Sequence, residues 1–171
     1  MESGQEKIYV VDENNRPLAV MALEQVHAQK LRHRGFLLLL ADDQDRLVLR
    51  RLDRGHPLYP GRWDLMGRGH VMANEAAEEA AERCLPSVVA ALGVGLRHLL
   101  TLTTGAGTGL EIVDVFRGDI DRRGTRLLLR DHAFLAVDND ELSALAMTYP
   151  DQLSPALLTV WNLRLHPLSA S

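Results

Sequence analysis

"LYPGRWDLMGRGHVMANEAAEEAAERC", residues 58–84, decides how the rest of the chain is read. Pro60-Gly61 ends a loop, and Trp63–Val71 is extended and carries two glycines. Residues 75–92 have helical composition, but Pro86 lies inside them. A proline removes a hydrogen bond and costs about 3 kcal/mol within a helix, so a kink or restart is expected there. At 100° per residue Glu75, Glu78, Glu79 and Glu82 fall at roughly 0°, −60°, 40° and −20°, one acidic stripe whose simplest role is a solvated face. Gly69, five residues, Glu75, seven residues and Arg83 form an ordered series. A glycine-to-glutamate spacing alone would mean little; the whole series is specific.

A chain of 171 residues suits one compact domain, expected over 1–171 with an N-terminal hairpin at about 8–22 and a core at about 33–165. The formal net charge of −4 offers no global basic field, and nucleic acid is therefore excluded as a partner at this stage. The single cysteine, Cys84, rules out an internal disulfide and fits a reducing compartment. The start, MESGQEKIYV, lacks the plan of a secretory signal, and the longest apolar run, 36–41, is too short to span a bilayer. A cytoplasmic location without a membrane partner is expected, and the oligomeric state is left open.

Along the chain, Ile8–Val11 and Leu18–Met21 read as paired strands around a turn at Glu13-Asn14-Asn15. Leu23–Leu31 has helical spacing. Gly35–Leu40 is a continuous apolar strand, followed by a turn at 42–45 and an alternating strand at 46–52. Strands are expected at 97–103 and 111–116, joined by the glycine-rich loop 105–109. Residues 119–125 read as a turn, and 126–130 and 132–137 as extended. Asp138-x-x-Glu141 is a capping box opening a helix through Met147, and a last helix covers 154–165. Hairpins mixed with helices indicate an α+β class, with α/β/α layers around a mixed sheet.

The quoted stretch resembles the Nudix superfamily, whose helix-loop motif runs G-x5-E-x7-R-E-U-x-E-E-x-G-U, with U a bulky aliphatic residue. "YPGRWDL" is similar to the family's lead-in, "LRHRGFLLLLADDQDRLVLRRL" to its first central hairpin and "HAFLAVDNDEL" to its last strand and helix cap. The resemblance covers about residues 8–165 and implies a Nudix fold. It also implies hydrolysis of nucleoside or other diphosphates, with magnesium held by the glutamates after the arginine. The lead-in and the LRHR segment look most like the branch related to isopentenyl diphosphate isomerase.

The motif then departs from the family. Counted from Glu75, the three expected acids fall on Cys84, Ser87 and Val88; counted back from Leu92-Gly93-Val94, they fall on Ser87, Ala90 and Ala91. Neither register supplies a carboxylate, so magnesium is implied by the family while its usual ligands are absent, and the cofactor stays open. Glu75 and Arg83 are expected to brace the loop and helix.

In the isomerase relatives a metal site uses histidines and carboxylates outside this helix. By local match His33, His70 and Glu111 are the corresponding residues here, and His27 lies one position from a further histidine. Such a set suits zinc, manganese or iron better than magnesium. The plain alternatives are an exposed basic junction around His33 and an edge-strand acid at Glu111. The position of the isomerase's catalytic cysteine is held by Arg68, which, with Arg50 and Arg51, is a candidate for binding the phosphate of a small phosphorylated ligand. Three readings follow: a hydrolase whose activity is weak, altered or lost; a non-catalytic ligand-binding or regulatory module; and an isomerase-like metalloenzyme using His33, His70 and Glu111.

Overall fold

The structure is a computed structural model that describes residues 6–105 and 107–165. Its frame is one nine-stranded mixed sheet. β1 (Lys7–Val11) and β2 (Pro17–Ala22) form the expected N-terminal hairpin, and α1 (Leu23–Ala28) follows directly. β3 (His33–Ala41) is the central strand, and β4 (Leu47–Arg51) turns back beside its end. Two short strands, β5 (Trp63–Asp64) and β6 (Gly67–His70), come from the diagnostic stretch. β6 pairs antiparallel with β3, placing His70 opposite Gly35.

The helical half of that stretch is split as Pro86 requires. α2 (Ala77–Arg83) ends before it, and α3 (Ser87–Ala90) restarts with Pro86 as its N-cap. β7 (Leu96–Leu102) and β8 (Glu111–Asp119) then form an antiparallel pair, and β8 runs parallel to β3 in a register from His33↔Glu111 to Ala41↔Asp119. Glu111 is thus on an interior strand, not an edge.

Residues 119–130 correct the sequence reading. Instead of a turn and an extended segment, Arg122–Leu128 form a helix, α4. Asp121 accepts a hydrogen bond from the Gly124 amide (2.7 Å) and caps it, while Gly124, Thr125 and Leu128 supply its buried side. The alternation seen in Arg126–Arg130 is outweighed by this cap and by burial at helical spacing. β9 (Phe134–Val137) pairs with β4, and α5 (Asn139–Thr148) opens with the expected capping box. α6 (Pro155–Asn162) follows a short 3-10 turn and is capped by Ser154.

The continuous apolar run in β3 is explained by burial on both faces. Phe36, Leu38 and Leu40 pack with Ala80, Ala81, Val89 and Leu128 under α2–α4. Leu37 and Leu39 pack with Leu142, Ala146, Leu157 and Val160 of α5 and α6. This is the expected α/β/α arrangement. By strand alternation His33 and Gly35 share the α5–α6 side with Leu37. Among the described residues no helix is long and apolar enough to cross a membrane.

Candidate functional site

Four side chains from four elements meet at the start of β3. His27 of α1, His33 of β3, His70 of β6 and Glu111 of β8 each offer one donor atom, and these atoms all lie within 4.8 Å of one another. The sheet register explains three of them. His33 and Glu111 are partners across the parallel pair, and His70 sits opposite Gly35, one pleat along. α1 adds His27 because Val26 beside it is fully buried and pins the helix to the sheet. The imidazole rings lie 4.9–5.2 Å apart, centre to centre. His27 was only adjacent to a motif position in the sequence; its inclusion depends on where α1 docks.

His33 is 5% exposed, so the basic-junction alternative does not hold for it. Its Nδ1 lies 2.8 Å from the Leu31 carbonyl. Donating there fixes the tautomer and leaves the Nε2 lone pair facing Glu111 Oε1 at 3.3 Å. His70 Nδ1 faces the same oxygen at 3.5 Å. Both nitrogens are buried and lack a hydrogen-bond partner among the described residues. A buried lone pair directed at a carboxylate, as at His33 Nε2, is costly unless a proton or a cation lies between them. A tetrahedral ion with bonds of ~2.1 Å has ligand–ligand edges of ~3.4 Å, which the His33–Glu111 and His70–Glu111 separations match, while the four donors as a set lie within 4.8 Å of one another.

Burial disfavours a charged His33, but Glu111 and the Leu31 carbonyl outweigh it and hold its pKa above the ordinary value. Burial, together with the positive charge of His33 and His27, pushes His70 down despite Glu111. Burial opposes ionisation of Glu111, yet its histidine neighbours hold its pKa below the ordinary carboxylate value.

The cluster opens on a cavity of about 450 Å³ whose lining includes His70, Glu111, Arg50, Arg68, Asp64 and Thr159. Arg68 Nε donates to Asp64 Oδ2 (2.9 Å), and its guanidinium lies 5.2 Å from the Tyr59 ring centre. Asp64 is fully buried and also accepts from the Ser154 hydroxyl. Arg50 Nε is buried without a partner among the described residues. Arg51 is a correction: it alternates away from Arg50, does not line the cavity, and donates to the Gly61 carbonyl (3.0 Å) beside Trp63. Asp64 and Ser154 were missed in the sequence; Ser154-Pro155 was legible as a helix start, but its bond to Asp64 was not.

Glu75 and Arg83 lie outside this site. Arg83 donates through Nη2 (2.8 Å) and Nε (3.2 Å) to the two carboxylate oxygens of Glu75, which also accepts from the Met72 amide (2.8 Å). The fork ties the β6–α2 loop to the helix end. Glu78, Glu79 and Glu82 are exposed, and Cys84 packs beside Gly67.

No family model matches the chain. Two curated relatives are an uncharacterized Nudix hydrolase, PA4841, of Pseudomonas aeruginosa and an uncharacterized Nudix hydrolase, YfcD, of Escherichia coli. The first is 35% identical over 47% of this chain and 48% of that protein. The second is 32% identical over 46% of this chain and 43% of that protein. The matches span less than half of the relatives' length. Among solved structures, DR0079 of Deinococcus radiodurans superposes with a TM-score of 0.66 at 16% identity, over 92% of this chain and 98% of that one. A mutT/nudix family protein from Listeria innocua superposes with a TM-score of 0.54 at 14% identity, over 77% and 88%. The chain has the Nudix fold.

One comparison corrects the exclusion of nucleic acid. Shewanella oneidensis NrtR, solved in complex with a 27mer DNA, resembles this chain with a TM-score of 0.49 at 15% identity, over 77% of this chain and 61% of that one. A protein similar to this Nudix fold is therefore found on DNA, and a net charge of −4 does not exclude such a partner, because it is a sum over the whole surface. At that TM-score the likeness assigns no partner to this chain.

Proposed function

We propose that this chain is a single-domain, cytoplasmic Nudix-fold metalloenzyme acting on a small diphosphate-bearing substrate. His27, His33, His70 and Glu111 would hold one first-row transition ion, zinc, manganese or iron by the chemistry of the donors. Arg50 and Arg68 would receive phosphate in the adjoining cavity. The observation that carries this reading is the buried, unpartnered Nε2 of His33, 3.3 Å from Glu111 Oε1 with its other nitrogen at the Leu31 carbonyl. A bound ion supplies Lewis-acid polarisation of substrate oxygens. The chain's own groups would orient the substrate: Arg68 is held by Asp64, and Arg50 Nε–H has no partner among the described residues.

The departure at α2 supports placing the chemistry here. No carboxylate occupies the family's magnesium positions, and the helix ends at Arg83. Magnesium-dependent diphosphate hydrolysis of the ordinary kind is therefore expected to be weak or lost. An isomerase-like reaction is the nearest alternative chemistry, though Arg68 stands where that reaction needs a thiol.

Elemental analysis of the purified protein, coupled to a panel of diphosphate compounds with and without added metal, tests the proposal. The expected result is about one zinc, manganese or iron per chain, lost in His33→Ala and His70→Ala, with turnover that follows that metal. A folded wild type that takes up none of these ions overturns it. Metal uptake with saturable phosphate binding and no turnover of any compound selects the non-catalytic module instead.

A further inference from the structure

Away from the cavity, α4 carries a group of arginines, with Asp43 in the adjoining furrow and Asp121 and Asp131 at its two ends. Arg122, Arg123, Arg126 and Arg130 are all exposed, and none forms an ion pair among the described residues. At 100° per residue Arg122, Arg126 and Arg123 lie at about 0°, 40° and 100° around the helix, opposite the buried Gly124, Leu128 and Thr125 at about 200°, 240° and 300°. Arg130, just past the helix end, lines the same open furrow of about 530 Å³. A second furrow, of about 310 Å³, continues toward the 42–46 turn. Taken out of the net charge of −4, these four arginines leave −8 on the rest of the chain.

This surface is separate from the metal cluster. Glu111 opens β8 and α4 follows its far end, roughly 26 Å away at ~3.3 Å per residue, and no residue lines both the cavity and these furrows.

We propose that the α4 face binds the phosphate backbone of double-stranded nucleic acid without reading its sequence. Guanidinium groups present forked donors that match phosphate. From Arg122 to Leu128 the helix extends about 9 Å at ~1.5 Å per residue, with Arg130 just past its end, which covers two to three backbone charges of one strand at ~3.4 Å each and exceeds what a single phosphate occupies. The 530 Å³ furrow has no aromatic ring on which an unpaired base would stack, which favours a duplex over a single strand. Leu127 and Leu129 are 42% and 37% exposed, too little apolar surface on a seven-residue helix to embed in a bilayer. The remaining negative charge keeps the interaction weak, and salt screens it beyond ~8 Å at physiological ionic strength. The proposal does not depend on the metal-site reading.

Fluorescence anisotropy of a labelled duplex of arbitrary sequence, titrated with the full chain at several salt concentrations, tests it. Binding is expected at about 50 mM salt and weakens on the order of 10²-fold by about 200 mM, with a log–log slope of about −3.6 for four phosphate contacts. Arg122→Ala/Arg126→Ala halves the slope, Arg122→Lys/Arg126→Lys retains it, and Arg16→Ala/Arg54→Ala, the same loss of charge at exposed sites elsewhere, leaves it unchanged. The lysine variant separates loss of charge from misfolding. The proposal is overturned if wild type fails to bind the duplex at low salt, or if the α4 alanine variant binds as tightly as wild type. It is equally overturned if the Arg16/Arg54 control weakens binding as much as the α4 variant, or if phosphatidylserine vesicles are bound and the duplex is not.

Discussion

Gly35 and Glu111 share one space: the Cβ that Gly35 lacks would stand 2.8 Å from Glu111 Oε2 and 3.2 Å from the Gly69 carbonyl. The carboxylate can lean across β3 toward His33 and His70 because the residue between them has no side chain. Gly35 therefore makes room for the donor cluster.

Gly35→Ala tests this dependence. The methyl group pushes Glu111 out of register with the histidines, and the strain costs about 1–3 kcal/mol. Affinity for zinc or manganese, measured by chelator competition, should fall at least about 10-fold, the lower end of losses seen when a ligand's support is disturbed. Unchanged affinity in a folded variant would show that Glu111 is not held by this contact.

The histidines should titrate apart in the metal-free protein. NMR of labelled imidazoles should show His33 above the ordinary value of 6.5 and His70 below it. The linkage signs are opposite. His33 contributes stability that is complete below pH 6.5 and is lost as pH rises through its folded pKa. His70 favours the neutral form, so its contribution is lost as pH falls below 6.5 toward its folded pKa. A bound cation must displace the His33 proton, and metal affinity should weaken as pH falls.

Glu75 is held below its ordinary pKa by hydrogen bonds from Arg83, with burial opposing. The pair's stabilisation is present above the unfolded carboxylate pKa and is lost as pH falls through the lower folded value. Arg83 is 46% exposed, so Arg83→Ala should cost only about 1 kcal/mol at neutral pH. Urea denaturation of wild type and variant should give curves that converge in acid; a constant difference down to pH 2 would contradict this.

Ser154 joins two structures. Its hydroxyl donates to the buried Asp64 and its oxygen accepts from the Leu157 amide, capping α6 (3.1 Å). Ser154→Ala removes the cap and leaves Asp64 short of a donor, for a combined loss of about 2–3 kcal/mol in urea. Arg68 loses part of its anchor as well. Weak binding of inorganic pyrophosphate, followed by calorimetry, should therefore fall in Ser154→Ala and fall further in Arg68→Ala.

Much of the fold was legible because its signals are local. Asp138 and Glu141 announce α5, Pro86 divides the helix after Glu75, and the apolar run of β3 needs cover on both faces. The α4 error has a local cause too: the cap at Asp121 competed with alternating leucines and arginines, and only burial of Leu128 decides between them. Arg51 falls outside the cavity that Arg50 lines because adjacent strand residues look equivalent in sequence while pointing opposite ways.

By itself the sequence determined the ordered glycine, glutamate and arginine series, the break at Pro86 and the layered α+β plan, all consequences of spacing along the chain. Only the tertiary structure decided that His27, His33, His70 and Glu111 converge, and that Asp64 anchors Arg68 from beneath Ser154. Convergence depends on strand register and helix docking between segments far apart in the chain. A shift of one residue in the β3–β8 pairing would turn Glu111 to the opposite face, and no local pattern encodes that choice.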